Sequence, residues 1–186
     1  MAGNPVSCNL SSLHFDSPEF PELVAAIADR HNVPHALLEL EITESAIMRN
    51  PQIVCAQVLR LKERGFMIAI DDFGSGYSSL GQLQQLMADV LKLDRSFVRR
   101  GMFGTRERIV IGNVIHMAGE LGMQVICEGV ENAKQAEMLI ELGCYYAQGF
   151  YYAKPMPRDV FEGLLEKGKV LQDEKENKKG AWQRKP

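Results

Sequence analysis

The chain has 186 residues, 46% hydrophobic and 24% charged, which suits one globular domain with a full-sized core. A net charge of −3 gives no basic field for nucleic acid, so cations would have to be recruited locally to meet an anionic ligand. Cys8, Cys55, Cys127 and Cys144 are widely spread with no Cys-x-x-Cys, which argues against a zinc knuckle or disulfide framework and for reduced thiols in a cytoplasmic protein; no apolar run approaches the ~20 residues of a membrane helix, and no signal-peptide pattern opens the chain.

Taken in order, residues 6–10 (VSCNL) read as a short strand with Asn9 as its notable polar member. Leu23, Val24, Ile27 and Ala28 then share one helical face, and that helix ends near residues 31–34. Residues 38–43 (LELEIT) alternate strictly, with Leu38, Leu40 and Ile42 on one face and Glu39, Glu41 and Thr43 on the other. Strands in parallel sheets normally read as continuous apolar runs, so acidic residues near such a strand end suggest a site. Glu39 is read as solvated or paired and is set aside. Asn50 and Pro51 open a helix that runs to Arg64 and stops at Gly65.

A strand is predicted over 66–71, leading into the stretch IAIDDFGSGYSSL at 68–80. Adjacent Asp71 and Asp72 are costly to place together unless something positive sits beside them. A helix is predicted over 78–87, and a strand over 89–93 carries Lys92. Thr105 is expected to cap a long amphipathic helix closed by Gly122. Residues 124–127 form a strand running into Glu128-Gly129-Val130-Glu131. Asn132 with Gln135 resembles a capping box, and its helix stops at Gly143. A last strand over 145–152 contains Gln148 and Gly149, and a final helix over 157–167 is stopped by Gly168. Residues 169–186 are charged without apolar period and are expected to be a disordered tail; the domain is placed at 1–168.

Strand and helix thus alternate about six times with short connections, which argues a parallel α/β sheet or barrel. Nearly every strand ends in a residue with possible chemistry: Asn9, Glu41, Asp71 and Asp72, Lys92, Glu128, Gln148. In a (β/α)8 barrel such residues converge at one rim. Oxygen and amide donors without His or Cys favour Mg²⁺ or Mn²⁺ over zinc or copper. Asp71 is placed to bridge two ions and Asp72 to hold one, an arrangement that activates water and stabilises both oxygens of a displacement at phosphorus.

Each residue also has a bland reading. Asn9 alone suits a turn or cap; Glu41 and Glu128 alone suit solvated strand ends. Lys92 pairs with a carboxylate or, with a lowered pKa, forms Schiff bases as in an aldolase. Asp72-Phe73-Gly74 is the magnesium-binding triplet of kinases, but no glycine-rich nucleotide loop and no His-Arg-Asp precede it. Gly74-Ser75-Gly76 is not a Walker loop and reads as a flexible hinge. His31 and His35 are four apart, but Pro34 interrupts any helix between them; His14 and His116 have no partner pattern.

Six segments in order, VSCNLS (6–11), LELEITES (38–45), IAIDDFGSGYSSL (68–80), LKLDRSFV (91–98), ICEGVE (126–131) and AQGFYYAKP (147–155), closely resemble the EAL family of cyclic di-GMP phosphodiesterases. The resemblance implies a (β/α)8 TIM-type barrel that hydrolyses cyclic di-GMP to pGpG with two Mg²⁺ or Mn²⁺ ions, Ca²⁺ being inhibitory. It implies Asn9, Glu41, Asp71, Asp72 and Glu128 as metal ligands. Lys92 and Glu128 would act on the water, Glu131 and Gln148 would sit around the substrate, and Glu44 would fasten the loop after Asp72. It also implies a homodimer through the loop at 73–80 or through open strand edges. The family's Glu-Ala-Leu strand precedes the one containing Asn9 and is not among these residues, so a barrel lacking its first two strands is expected, with weakened metal binding. The alternatives are a non-catalytic EAL module that binds cyclic di-GMP or a protein partner and, more distantly, the Lys92 aldolase.

Overall fold

The computed structural model describes residues 5–75, 83, 85–101 and 104–167. Six parallel strands lie in chain order, β1 (Val6–Leu10), β2 (Leu38–Thr43), β3 (Met67–Phe73), β4 (Val90–Leu93), β5 (Gln124–Cys127) and β6 (Tyr146–Ala147). Each strand hydrogen-bonds only to its neighbours in sequence, the order of consecutive units in a barrel. The described helices are α1 (Phe20–Arg30), α2 (Glu44–Arg49), α3 (Pro51–Glu63), α4 (Arg95–Gly101), α5 (Thr105–Glu120), α6 (Ala133–Glu141) and α7 (Arg158–Lys167).

The alternation in β2 decides which face goes where. Register places Leu40 beside Ile68, and Ile42 beside Ile70, then Leu91, then Val125. These apolar residues belong to one cluster with Val54, Val58 and Leu61 of α3, Ile111 and Ile115 of α5, and Leu139 of α6. Full burial of a Leu or Ile side chain contributes about 1.5–3 kcal/mol, so this row fixes the register: a one-residue slip would turn it to the other face. The opposite face is left to Asn9, which pairs with Glu41, and to Lys92.

Several expectations are corrected. The last strand is two residues long, because beyond Ala147 the chain turns and Tyr152 and Ala153 donate their N–H groups to Gly149 O. Thr105 is the first helical residue and not the cap; Gly104 occupies the cap. Asn50 sits at the cap of α3 without a side-chain capping bond. Of the two readings of Glu39, the structure has the paired one: it is buried and accepts from Ser7 Oγ at 2.8 Å. Helices α2 and α4 were not anticipated. The predicted helix over 78–87 and the tail at 169–186 fall largely or wholly outside the described residues. Among those residues no helix is long and apolar enough to cross a membrane.

Candidate functional site

Two adjacent side chains on a regular strand point to opposite faces, so Asp71 and Asp72 would ordinarily be separated by the sheet. The end of β3 avoids this. Ile70 lies opposite Leu91 and Phe73 opposite Leu93, three steps on β3 against two on β4, and this is a bulge. Asp72 takes up the extra residue at φ +55°, a left-handed conformation that Asp tolerates better than most side chains. The result is that carboxylate oxygens of Asp71, Asp72 and Glu128 all lie within 4.8 Å of one another.

Backbone bonds past the strand ends lock this rim. Asp94 N–H donates to Phe73 O (3.2 Å), Glu128 N–H to Leu93 O (3.0 Å) and Gln148 N–H to Cys127 O (2.9 Å). The Gln148 loop closes further on the Glu128 loop, with Val130 N–H donating to Gln148 O and Tyr151 N–H to Val130 O. A side chain at Gly149 would overlap the Val130 backbone, so only glycine permits this approach.

Lys92 is the charge at the centre. Its Nζ lies 2.7 Å from Glu41 Oε1, 2.8 Å from Glu128 Oε1 and 3.5 Å from Asp71 Oδ1. Burial alone would lower its pKa, but the hydrogen bonds to Glu128 and Glu41, with their charges, outweigh that and hold it above the ordinary lysine value. A Schiff-base lysine needs a lowered pKa, and the surroundings of Lys92 push the other way. Gln148 Nε2 donates to the same Glu128 Oε1 at 2.6 Å, so Glu128 is gripped from two sides. Burial pushes the Glu128 carboxyl up despite the Lys92 ammonium. Burial also raises Asp72, assisted by the charges of Asp71 and Asp94.

Asp71 Oδ1 is buried with no hydrogen-bond partner, since Lys92 at 3.5 Å is within ion-pair range but too far for a good hydrogen bond. A bare buried carboxylate oxygen beside two other carboxylates is unfavourable unless a cation joins them. The donor set is all oxygen, and it fits a hard divalent ion.

The remaining sequence-derived candidates are placed less tightly. Asn9 lies across from Glu41 on β1 but is exposed. Glu131 is exposed, and its backbone N–H donates to Gln135 Oε1 at 2.7 Å. Glu44 opens α2 directly after β2, and its Oε2 accepts from Gly74 N–H at 2.8 Å. A Cβ on Gly74 would overlap the Phe97 ring, and Ser75 N–H donates to Asp72 O. Residues 74 and 75 therefore form an anchored turn and not a hinge; residues 76–80 of that loop lie outside the described ones. His35 spends both ring nitrogens on Arg64 O and Asp29, which leaves none for zinc.

Asp94 was missed. Its Oδ1 accepts from Ser96 N–H at 2.9 Å as the cap of α4, and the signal was an Asp two residues before a Ser after a strand.

Comparison with known proteins identifies the family. The model of the EAL domain matches residues 1–155. The chain belongs to the EAL domain family. Cyclic di-GMP phosphodiesterase RocR of Pseudomonas aeruginosa is 36% identical over 161 residues, 86% of this EAL chain and 41% of that protein. The EAL domain of DcpA from Mycobacterium smegmatis superposes with a TM-score of 0.83 at 37% identity, covering 90% of this chain and 75% of that one. BlrP1 of Klebsiella pneumoniae, in a manganese and cy-diGMP complex, superposes with a TM-score of 0.76 at 25% identity, over 81% of this chain and 39% of that one. The chain spans well under half the length of the curated relatives it matches, 22% and 20% for the first two.

Proposed function

We propose that this EAL chain binds cyclic di-GMP and hydrolyses one of its phosphodiester bonds to give linear pGpG. The observation that carries the reading is the convergence of Asp71, Asp72 and Glu128 beside a buried Lys92. The activity named for RocR and the ligands named for BlrP1 support it.

In this reading Asn9, Glu41, Asp71, Asp72 and Glu128 hold two divalent ions, Mg²⁺ or Mn²⁺. When bound, such ions lower the pKa of a water and neutralise charge on the oxygens around phosphorus. The side chains do the positioning. Lys92 reaches the site with Nζ between Glu41 and Glu128, from where it would hold the attacking water and balance negative charge. Gln148 holds Glu128 Oε1 in place, and Glu44, through Gly74 N–H, fixes the chain that leaves Asp72. Glu131 stands at the rim for contact with the substrate.

A second reading is binding of cyclic di-GMP without turnover. Calorimetry with cyclic di-GMP in Ca²⁺, followed by a turnover assay in Mg²⁺ or Mn²⁺, separates the two. The expected result is binding in Ca²⁺ and metal-dependent release of pGpG. Binding with no product supports the second reading, and no binding removes both.

A further inference from the structure

The described site is rich in carboxylates and its one central cation is already committed, since Lys92 is shared between Glu41 and Glu128. Ions held by these carboxylates would serve the reacting phosphorus, and the other phosphate of an anionic cyclic dinucleotide still favours a cation at the mouth that no carboxylate has consumed.

Arg95 meets that need. It is the first residue of α4, three positions after Lys92, and its Cβ presses so closely on Gly129 that a side chain there would overlap it. Gly129 directly follows Glu128, Glu128 N–H is bonded to Leu93 O, and Asp94 N–H is bonded to Phe73 O. The Arg95 side chain therefore starts where three strand ends meet, the ones bearing Asp71 and Asp72, Lys92, and Glu128. Among the described residues it makes no ion pair, and it is exposed. The nearest carboxylate in sequence, Asp94, caps α4 by accepting from Ser96 N–H.

We propose that Arg95 is a substrate-binding residue that takes phosphate oxygens of the cyclic dinucleotide at the mouth of the site. The proposal rests on the phosphodiester reading above. A guanidinium presents its donors as a planar fork that suits two oxygens of one phosphate, which a lysine ammonium matches in charge but not in shape.

The test is calorimetry with cyclic di-GMP in Ca²⁺ on the full chain, comparing the unsubstituted protein with Arg95→Ala and Arg95→Lys. Alanine keeps the Cβ that rests on Gly129. The expected result is about tenfold weaker binding for R95A with an unchanged melting temperature, partial recovery for R95K, and a shallower dependence on salt in R95A. Equal affinity of R95A and the unsubstituted chain overturns the proposal and leaves the proposed function standing. A loss in R95A that comes with a lowered melting temperature and is not relieved by R95K assigns the residue a structural role and also overturns it. No binding by the unsubstituted chain overturns the phosphodiester reading and this proposal with it.

Discussion

The middle of the sheet and its two ends are built differently. In β3 and β4, Ile68, Ala69, Ile70, Leu91 and Leu93 are fully buried. At one end, β1 is exposed at four of five positions; at the other, β6 is two residues long. The site is divided along the same line. Glu41, Asp71, Asp72, Lys92 and Glu128 come from strands with a neighbour on both sides, whereas Asn9 and Gln148 come from the edges. Gln148 compensates through the backbone bonds that tie its loop to Val130 and Cys127, whereas Asn9 is held from one side, by the ladder that pairs it with Glu41. The charged cluster is thus carried by the hydrophobic core, and the residues around it depend on local fastening.

Five substitutions break or sharpen this contrast. Lys92→Met leaves Glu41, Asp71 and Glu128 as buried carboxylates without their cation, and it should destabilise the chain by about 3–5 kcal/mol in chemical denaturation. Ile70→Ala in the centre should cost about 2–5 kcal/mol, while Val6→Ala at the edge should stay within about 0.5 kcal/mol; similar values for the two would erase the distinction. Gly149→Ala forces the Gln148 loop off Val130 and should cost about 1–3 kcal/mol, with a matching loss of cyclic di-GMP affinity in calorimetry.

Asp72→Asn has the opposite sign and should raise the melting temperature slightly at pH 7 while weakening Mn²⁺ binding. Its sign follows from the raised Asp72 pKa. A carboxylate whose folded pKa lies above its unfolded value costs stability at neutral pH. That cost disappears as pH falls through the folded value to below the ordinary aspartate range. The gain from D72N should therefore be present at pH 7 and gone in melts near pH 3.

Much of this arrangement was legible from residue types. The alternation of LELEIT placed Glu41 on the polar face, and the repeated strand-helix pattern gave a parallel sheet. The convergence of Glu41, Lys92 and Glu128 followed from strand ends alone. What was hidden was backbone geometry. Thr43 was read as the last strand residue, yet its Oγ1 accepts from Ala46 N–H and starts α2, so one residue serves two elements. Tyr, Phe and Ala after Gly143 have strand-like composition, but bonds to Gly149 and Val130 convert most of that stretch into a turn. Glu39 and Glu41 look alike in sequence; only the pairing across to Ser7 or to Lys92 tells them apart.

The bulge at Asp72 has a consequence for how this chain tolerates change. The site depends on a strand being one residue longer than its neighbour requires, so its vulnerability is to altered length more than to altered identity. Deleting a single residue between Ile70 and Phe73 would let β3 and β4 pair without interruption and make the sheet more regular. The same deletion would leave one carboxylate where two now meet. A lineage could thus gain order and lose chemistry in one step, with every other site residue still in its place.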